Sequence, residues 1–193
     1  MSLKKISKVQ PELFEFTDEN LAKAENEIKK YPKDKKASAV LALLYLAQDQ
    51  NNNWIPLAAI KYIAGLLSMP YIKVYEVATF YSMFNLKPIG KNYIQICRTT
   101  PCWLRGSDKL LNIAKEVTGC SLGETSKDKK FTVVEVECLG ACCNAPMVQI
   151  NDDYFEDLNE DIFKRLLINL KDDKEISKGS QIGRLSSNPE RKT

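Results

Sequence analysis

The first half of the chain carries apolar residues at the spacing of an α-helix. Thr17 precedes the first such stripe, and threonine is a residue type that caps helix N-termini. Asp18 and Glu19 follow it, at the end of the helix where negative charge is favourable. Pro32 is placed to end this predicted helix. Its apolar stripe consists of Leu21, Ala24, Ile28 and Tyr31.

Three more helices are predicted in this half. One spans about residues 38–50, the polar turn at 49–53 separates it from the next, and Pro70 opens the last. The apolar positions of the last two helices are Leu57, Ile60, Ala64, Leu67, Val74, Val77, Ala78 and Tyr81. The pattern predicts an N-terminal helical bundle over residues 17–88, preceded by a flexible arm at 1–16.

The hydrophobic period changes after an apparent linker at residues 87–90. Short β-rich runs now alternate with amphipathic helices. In order, they are a strand at 93–97, a helix at 106–117, strands at 131–138, 147–150 and 153–156, and a helix at 159–170. This series predicts an open sheet with helices packed against it over residues 89–172, and therefore an α+β chain. The polar segment at 173–193 is expected to be disordered, or ordered only by a partner.

The composition limits the kinds of binding site and catalytic group that this protein can contain. The net charge is only +3, without a dense basic stripe for nucleic acid. The chain has no histidine, which excludes Rieske centres, mixed cysteine–histidine zinc sites and a histidine base. Residues 1–16 resemble neither a secretory signal nor a transit peptide, so we expect the protein to stay where it is made. Its six cysteines are then interpreted as metal ligands before disulfides.

Four of these cysteines form two pairs. Four residues separate Cys97 from Cys102, three separate Cys138 from Cys142, and each pair follows a predicted strand. The 35 residues between the pairs contain a predicted helix, which is the length and composition of a crossover between parallel strands. Parallel strands end at the same edge of a sheet, so the four thiolates are expected to converge there.

Such a site could hold zinc or an iron–sulfur cluster, and the spacing only partly favours the cluster because zinc spacings also reach four residues. The flanking residues favour the cluster further. Arg98 and Arg105 can offset its negative charge, and Gly140 lets the backbone approach sulfide. Trp103 can shield iron from water or can be an ordinary packing aromatic.

The segments around both pairs resemble a known family. The stretches "FYSMFNLKPIGKNYIQICRTTPCWLRG" and "VEVECLGACCNAPMVQIND" closely resemble the thioredoxin-like 2Fe-2S subunit of NADH:quinone oxidoreductase, complex I, a family that includes the bacterial E subunit and the mitochondrial 24 kDa flavoprotein subunit. The similarity covers roughly residues 15–170, and the tail "KGSQIGRLSSNPERK" is similar to the end of alphaproteobacterial and mitochondrial members. It implies a helical N-terminal domain followed by a thioredoxin-like ferredoxin domain.

The resemblance also implies the site. The family motifs C-x4-C and C-x3-C assign the ligands of one 2Fe-2S cluster to Cys97, Cys102, Cys138 and Cys142. Cys143 and Cys120 are then spectators, with Cys143 beside a ligand and Cys120 beyond the crossover helix.

The partners are implied in the same way. The helical domain would dock on the FMN-carrying, NADH-binding subunit, and the cluster would exchange electrons with that flavin, beside the main path to quinone. Other hydrophilic-arm subunits of complex I would be further partners, with no direct membrane insertion. The chain would then be an enzyme subunit with no catalytic residue of its own, peripheral on the inner face of the bacterial plasma membrane or on the mitochondrial matrix side. The eight glycines form no phosphate-binding turn, so FMN and NADH are assigned to the partner alone.

Three alternatives remain at this point. Related chains serve NAD-linked hydrogenases and formate dehydrogenases. Residues 56–80 resemble a helix-turn-helix, so a DNA-binding protein with a zinc site is the second alternative. The second helix, however, offers one lysine and no Arg, Asn or Gln for contacts with DNA. A thiol oxidoreductase normally uses C-x-x-C, which does not occur here.

Overall fold

The computed structural model describes residues 5–188 and divides into two compact units, with the boundary between Ile89 and Gly90. That boundary lies one residue after the one expected from the sequence. No helix within residues 5–188 has both the length and the apolar character needed to cross a membrane.

The first unit contains the four predicted helices. They are α1 (Asp18–Lys29), α2 (Val40–Gln50), α3 (Leu57–Leu67) and α4 (Tyr71–Phe80), with a 3-10 helix (Lys33–Ala39) before α2. Thr17 caps α1 as predicted, since its Oγ1 accepts a hydrogen bond from the Asn20 backbone N–H at 3.3 Å. Ser68 ends α3 in the left-handed conformation, and Pro70 precedes α4.

The core of this unit includes residues that the sequence analysis assigned to a flexible arm. Phe14 and Phe16 are only 8% and 7% exposed, and both rings make edge contacts with Tyr62 at 5.9 and 5.5 Å between centroids. Gln10 Oε1 also accepts the backbone N–H of Leu57 at 2.9 Å. The arm is therefore ordered from at least Gln10. Burying one phenylalanine contributes about 2 kcal/mol, so two apolar residues in a polar run are sufficient to anchor it.

The second unit is built on one mixed sheet. Its strands are β1 (Asn92–Cys97), β2 (Phe131–Val136), β3 (Val148–Ile150), β4 (Asp153–Glu156) and β5 (Gly179–Ser180), in the spatial order β2-β1-β3-β4-β5. As predicted, β1 and β2 are parallel, while β3 is antiparallel to both β1 and β4. The helices are α5 (Thr100–Leu104), α6 (Ser107–Thr118) and α7 (Glu160–Lys171).

Apolar residues from the sheet and from α6 and α7 form the core of this unit. The buried side chains include Ile94, Ile96, Leu110, Ala114, Phe131, Val133, Val148, Ile150, Phe155, Phe163 and Leu167. The α+β prediction is confirmed, with α6 and α7 in contact with each other. The short helix α5 was not predicted, because five residues are too few for a helical period to appear in a sequence.

The C-terminal segment also differs from the expectation. The residues expected to be disordered, or ordered only by a partner, include β5, which pairs with β4 in parallel, and Arg184, which pairs with the carboxylate of Asp157. The segment buries little apolar surface, and composition alone therefore indicated no order. Polar contacts within the chain order it instead, and Arg184 lies 27 residues from Asp157 along the sequence. Residues 189–193 of the predicted tail lie outside the described part.

Candidate metal centre

Both cysteine-bearing loops leave the sheet at the same edge. Cys97 is the last residue of β1 and is paired in register with Val136, the last residue of β2. The backbone N–H of Arg98 donates to Val136 O at 3.1 Å, so the two chains stay together as they leave the sheet. The parallel arrangement that the cysteine spacing predicted therefore positions the loops side by side.

The first pair is buried. Cys97 and Cys102 are each 1% exposed, and Cys102 lies in α5, one turn after β1 ends. Cys97 Sγ lies 3.4 Å from the hydroxyl of Thr99, the residue that precedes α5. Apolar contacts from Ala145 and Met147 complete this small cluster. The first pair is thus held from the interior side of the site.

The second pair lies at the surface. The Sγ atoms of Cys138 and Cys142 are 3.4 Å apart, and the backbone N–H of Gly140 donates to Cys138 Sγ at 3.3 Å. Gly140 has φ +84°, a left-handed conformation that a side chain would disfavour. The hydroxyl of Tyr154 on β4 donates to Leu139 O at 2.7 Å and fixes the same loop. Cys142 begins a 3-10 helix, Cys142–Asn144.

The pKa values of the thiols show that the two pairs act on one another. Burial raises the pKa of Cys102 to about 12, with further contributions from Cys97 and from Cys142 of the other pair. The pKa of Cys142 is raised by its contact with Cys138, by burial and by the charge of Cys97. Cys142 of the second pair is therefore within electrostatic range of both sulfurs of the first pair. The structure brings the four predicted residues together.

Hydrogen bonds make the other two thiols easier to ionise. The Gly140 N–H, followed by Cys142 and the Thr99 hydroxyl, lowers the pKa of Cys138. Burial opposes ionisation of Cys97, but hydrogen bonds from Thr99 and from the Leu139 backbone outweigh it and lower its pKa. Each pair therefore contains one thiol that is prepared to lose its proton.

The donor set fits an iron–sulfur cluster. Two sulfurs that bind one tetrahedral metal at about 2.3 Å lie about 3.8 Å apart, close to the 3.4 Å between Cys138 and Cys142. The four sulfurs form two pairs, and a 2Fe-2S core requires one pair for each iron.

The flanking residues make contacts that the sequence did not predict. Trp103 is 52% exposed, so about half of its surface faces solvent. Arg98 forms an ion pair with Glu135, which offsets its charge. Arg105 instead donates through Nε to Ala145 O at 3.4 Å and connects the end of α5 to the loop that follows Cys142. This hydrogen bond gives Arg105 a structural role.

Of the two remaining cysteines, Cys120 lies apart from the four, whereas Cys143 adjoins Cys142 and also raises its pKa. Cys120 is buried in the sheet core, with its thiol 3.5 Å from Phe131 O. Cys143 is exposed, and its carbonyl accepts a hydrogen bond from Arg184 at 2.8 Å.

Sequence reasoning missed four contributors to the site: Thr99, Leu139, Tyr154 and Arg184. Of these four, only Thr99 could have been noticed in the sequence, because threonine is a residue type that often precedes a helix.

Two cysteine pairs meet at the ends of parallel strands in a mixed sheet. This arrangement is typical of a thioredoxin-like ferredoxin. Comparison with known families agrees, because the family model for thioredoxin-like [2Fe-2S] ferredoxins matches residues 24–171. The chain belongs to this family, and its cofactor is a 2Fe-2S cluster. The match begins inside α1, so the family includes the helical unit as well as the sheet.

Individual proteins of the family are similar to this chain over most of its length. The chain is 57% identical over 160 residues to the E subunit of NADH-quinone oxidoreductase from Rickettsia bellii, covering 83% of this chain and 96% of the relative. It is 48% identical over 181 residues to NADH dehydrogenase [ubiquinone] flavoprotein 2, mitochondrial, of Dictyostelium discoideum, covering 93% of this chain and 73% of the relative. The family resemblance stated above is confirmed.

A solved structure supports the fold alone. The crystal structure of an NAD+-reducing [NiFe]-hydrogenase in the air-oxidised state aligns with a TM-score of 0.61 and 20% identity, over 69% of this chain and 23% of the other.

Proposed function

We propose that this chain is an electron-transfer subunit of NADH:quinone oxidoreductase, in which Cys97, Cys102, Cys138 and Cys142 hold one 2Fe-2S cluster that exchanges electrons with the FMN of the NADH-binding subunit. The observation that carries the proposal is the meeting of the two cysteine pairs at one sheet edge. The 57% identity to a subunit of NADH-quinone oxidoreductase favours this complex over an NAD-linked hydrogenase or formate dehydrogenase.

The protein's own groups are arranged to stabilise negative charge on sulfur. A 2Fe-2S centre supplies one-electron transfer. The N–H of Gly140 donates to Cys138, and the Leu139 backbone and the Thr99 hydroxyl interact with Cys97. Tyr154 holds the carbonyl of Leu139, which keeps that part of the loop in place. These donors favour the thiolate forms that metal ligation requires.

The exposure of the pairs suggests which side faces the electron partner. Cys97 and Cys102 are buried, whereas Cys138 and Cys142 lie at the surface. Electrons would therefore enter and leave on the side of the second pair. Two exposed apolar residues next to the first pair, Trp103 and Leu104, provide further contact surface for a subunit.

The proposal assigns NADH and FMN to a partner. None of the eight glycines is separated from another by a single residue, so the Gly-x-Gly turn of dinucleotide-binding sites is missing from the sequence. Hydride transfer requires a two-electron acceptor, which a one-electron centre is not. The location that follows is peripheral, on the inner face of the membrane, through the complex.

The deciding experiment is spectroscopic. We expect anaerobically purified protein to be reddish-brown, to lose its visible absorption on dithionite reduction and then to give an S = 1/2 EPR signal. Metal analysis should find two irons and two acid-labile sulfides per chain. Colourless protein that carries stoichiometric zinc would overturn the proposal.

A further inference from the structure

The C-terminal segment contacts the loop that carries Cys142. Residues Gly179–Ser180 extend the sheet as a parallel strand next to β4. The backbone N–H of Gln181 donates to Glu156 O at 3.0 Å, which continues this pairing. The segment thereby brings Arg184 to the 3-10 helix Cys142–Asn144.

The guanidinium of Arg184 connects three parts of the unit. Its Nη2 donates to Cys143 O at 2.8 Å and to Asn144 Oδ1 at 2.8 Å. Asp157, which follows β4, accepts from Nε through Oδ2 at 3.1 Å, and its Oδ1 shares the two hydrogens of Nη2 with the other two acceptors. The side chains of Arg184 and Asp157 are only 15% and 7% exposed. A planar group with five donors is suited to such simultaneous contacts.

Asn144 is the second connection between tail and loop. Its side-chain amide donates to the carboxylate of Glu156 and to Ser186 O, the latter at 2.8 Å. Its backbone carbonyl accepts the N–H of Asp157 at 2.8 Å. The segment after Cys142 is thus held on one side by β4 and on the other by the tail.

We propose that Arg184 is a positioning residue for the cluster site, which fixes the loop of Cys142 through the carbonyl of Cys143 and the side chain of Asn144. This inference rests on the proposed function, in which Cys142 is a ligand. The contacts reach the residue directly after that ligand, and the loop has no strand of its own to hold it. Without the guanidinium, the two residues directly after Cys142 would each lose a hydrogen bond that holds them in place.

Loss of the Arg184 charge would also change the reduction potential of the cluster, and this effect can be measured separately from the position of the loop. Arg184 and Asp157 form a neutral pair at the edge of a cleft of about 610 Å³ that Cys142 also lines. Removal of the guanidinium alone would leave the Asp157 carboxylate unpaired near the cluster. Negative charge at that position disfavours the reduced cluster and lowers the reduction potential.

The experiment compares three variants of the full chain with wild type. Arg184→Gln removes the charge, Arg184→Lys keeps it without the planar fork, and Arg184→Gln combined with Asp157→Asn removes both charges. Arg165→Gln, at an exposed position of α7, is the matched control for the loss of one arginine. The readouts are the rate of iron loss to a chelator, the EPR g-values of the reduced protein, the midpoint potential, and far-UV circular dichroism as a check of folding.

We expect Arg184→Gln to lose iron about 10-fold faster, with shifted g-values and a lower potential. Arg184→Lys should lose iron faster than wild type but keep a potential close to it. The double variant should recover the potential but still lose iron rapidly. Arg165→Gln should behave like wild type in all readouts.

Equal iron loss and equal g-values in wild type, Arg184→Lys and the double variant would overturn the inference. The double variant covers the case in which Arg184→Gln alone does not fold, because it leaves no unpaired charge. If the double variant folds and retains iron like wild type, Arg184 serves only as the counter-ion of Asp157 and the inference is wrong. A wild-type chain without a 2Fe-2S signal would instead refute the proposed function, and this inference with it.

Discussion

At the scale of single residues, adjacent cysteines have different surroundings. Cys142 lies 3.4 Å from the sulfur of Cys138 and interacts with Cys97 and Cys102, whereas the structure connects Cys143 to Arg184 through its backbone carbonyl. The family motif assigns the ligand to Cys142. The local geometry supports the same assignment, although a sequence with two neighbouring cysteines leaves it open by one position.

The first prediction tests this assignment. Cys142→Ser should abolish or strongly perturb the visible and EPR spectra, because a serine hydroxyl replaces a thiolate ligand. Cys143→Ser and Cys120→Ser are the matched controls and should leave the spectra nearly unchanged. Loss of the cluster in Cys143→Ser together with its retention in Cys142→Ser would show that the ligand is Cys143.

Gly90 is a second residue whose role depends on its exact surroundings. Its backbone N–H donates to the Thr132 hydroxyl at 2.7 Å, and a Cβ at this position would lie 2.5 Å from the backbone of Phe131. The sequence placed Gly90 in a linker and indicated nothing of this close approach to β2.

The second prediction is that Gly90→Ala destabilises the protein by at least about 2 kcal/mol, because backbone must move to admit a methyl group. Gly65→Ala is the control. Gly65 lies inside α3 with open space at the Cβ position, so the same change there should stabilise the protein by up to about 1 kcal/mol. Urea unfolding of the two variants measures the difference, and equal midpoints would contradict the prediction.

At the scale of elements, long helices were easier to predict than short ones. The helices α1, α3 and α6 cover at least three turns, so their apolar stripes repeat and reveal them. The elements α5 and β5 have five and two residues and no repeat. Helix α5 carries Cys102, and β5 leads to Arg184, which contacts the loop of Cys142. The least predictable elements therefore help to complete the candidate site.

The cap of α1 at Thr17 was predicted because a cap acts within a few residues of the helix start. Asn159, which was predicted as the first residue of the last helix, is the N-cap of α7, and its side chain accepts the N–H of Ile162 at 2.8 Å. The third prediction is that Asn159→Ala lowers the free energy of unfolding by about 1 kcal/mol. Asn112→Ala, the same change at an exposed position within α6, should be neutral or slightly stabilising. Thermal or urea unfolding of both variants provides the measurement, and an equal loss in both would exclude a capping role.

At the scale of the whole molecule, the two units divide the expected tasks. The second unit carries all four cysteines of the candidate site, and the helical unit carries exposed aromatic residues, including Phe80 at 68% exposure in edge contact with Tyr81. Aromatic side chains are common in the contact surfaces of protein complexes. We expect the helical unit to contribute to binding of the flavoprotein subunit.

The fourth prediction is that the isolated chain does not reduce ferricyanide with NADH, and that activity appears only after the FMN-carrying subunit is added. Appreciable turnover by the chain alone, with no flavin detectable, would contradict this division.

The fifth prediction concerns the contact surface. Phe80→Asp should weaken binding of the flavoprotein subunit several-fold without a change in the EPR signal, because a charge would replace an exposed ring. Leu122→Asp, at an exposed apolar position of the other unit, is the matched control and should bind like wild type. Binding by calorimetry or pull-down decides between them, and unchanged binding of Phe80→Asp would remove this surface from the interface.

The sequence alone determined the α+β class, the four helices of the first unit, the first four strands of the second and the spacing of the cysteines. These features depend on periodicity and on short spacings, which are local. The tertiary structure alone decided that Phe14 and Phe16 enter the core, that Gly90 lies against β2, and that Arg184 reaches the loop of Cys142. Such contacts join residues that are tens of positions apart, and their free energy depends on surfaces that exist only after the chain has folded.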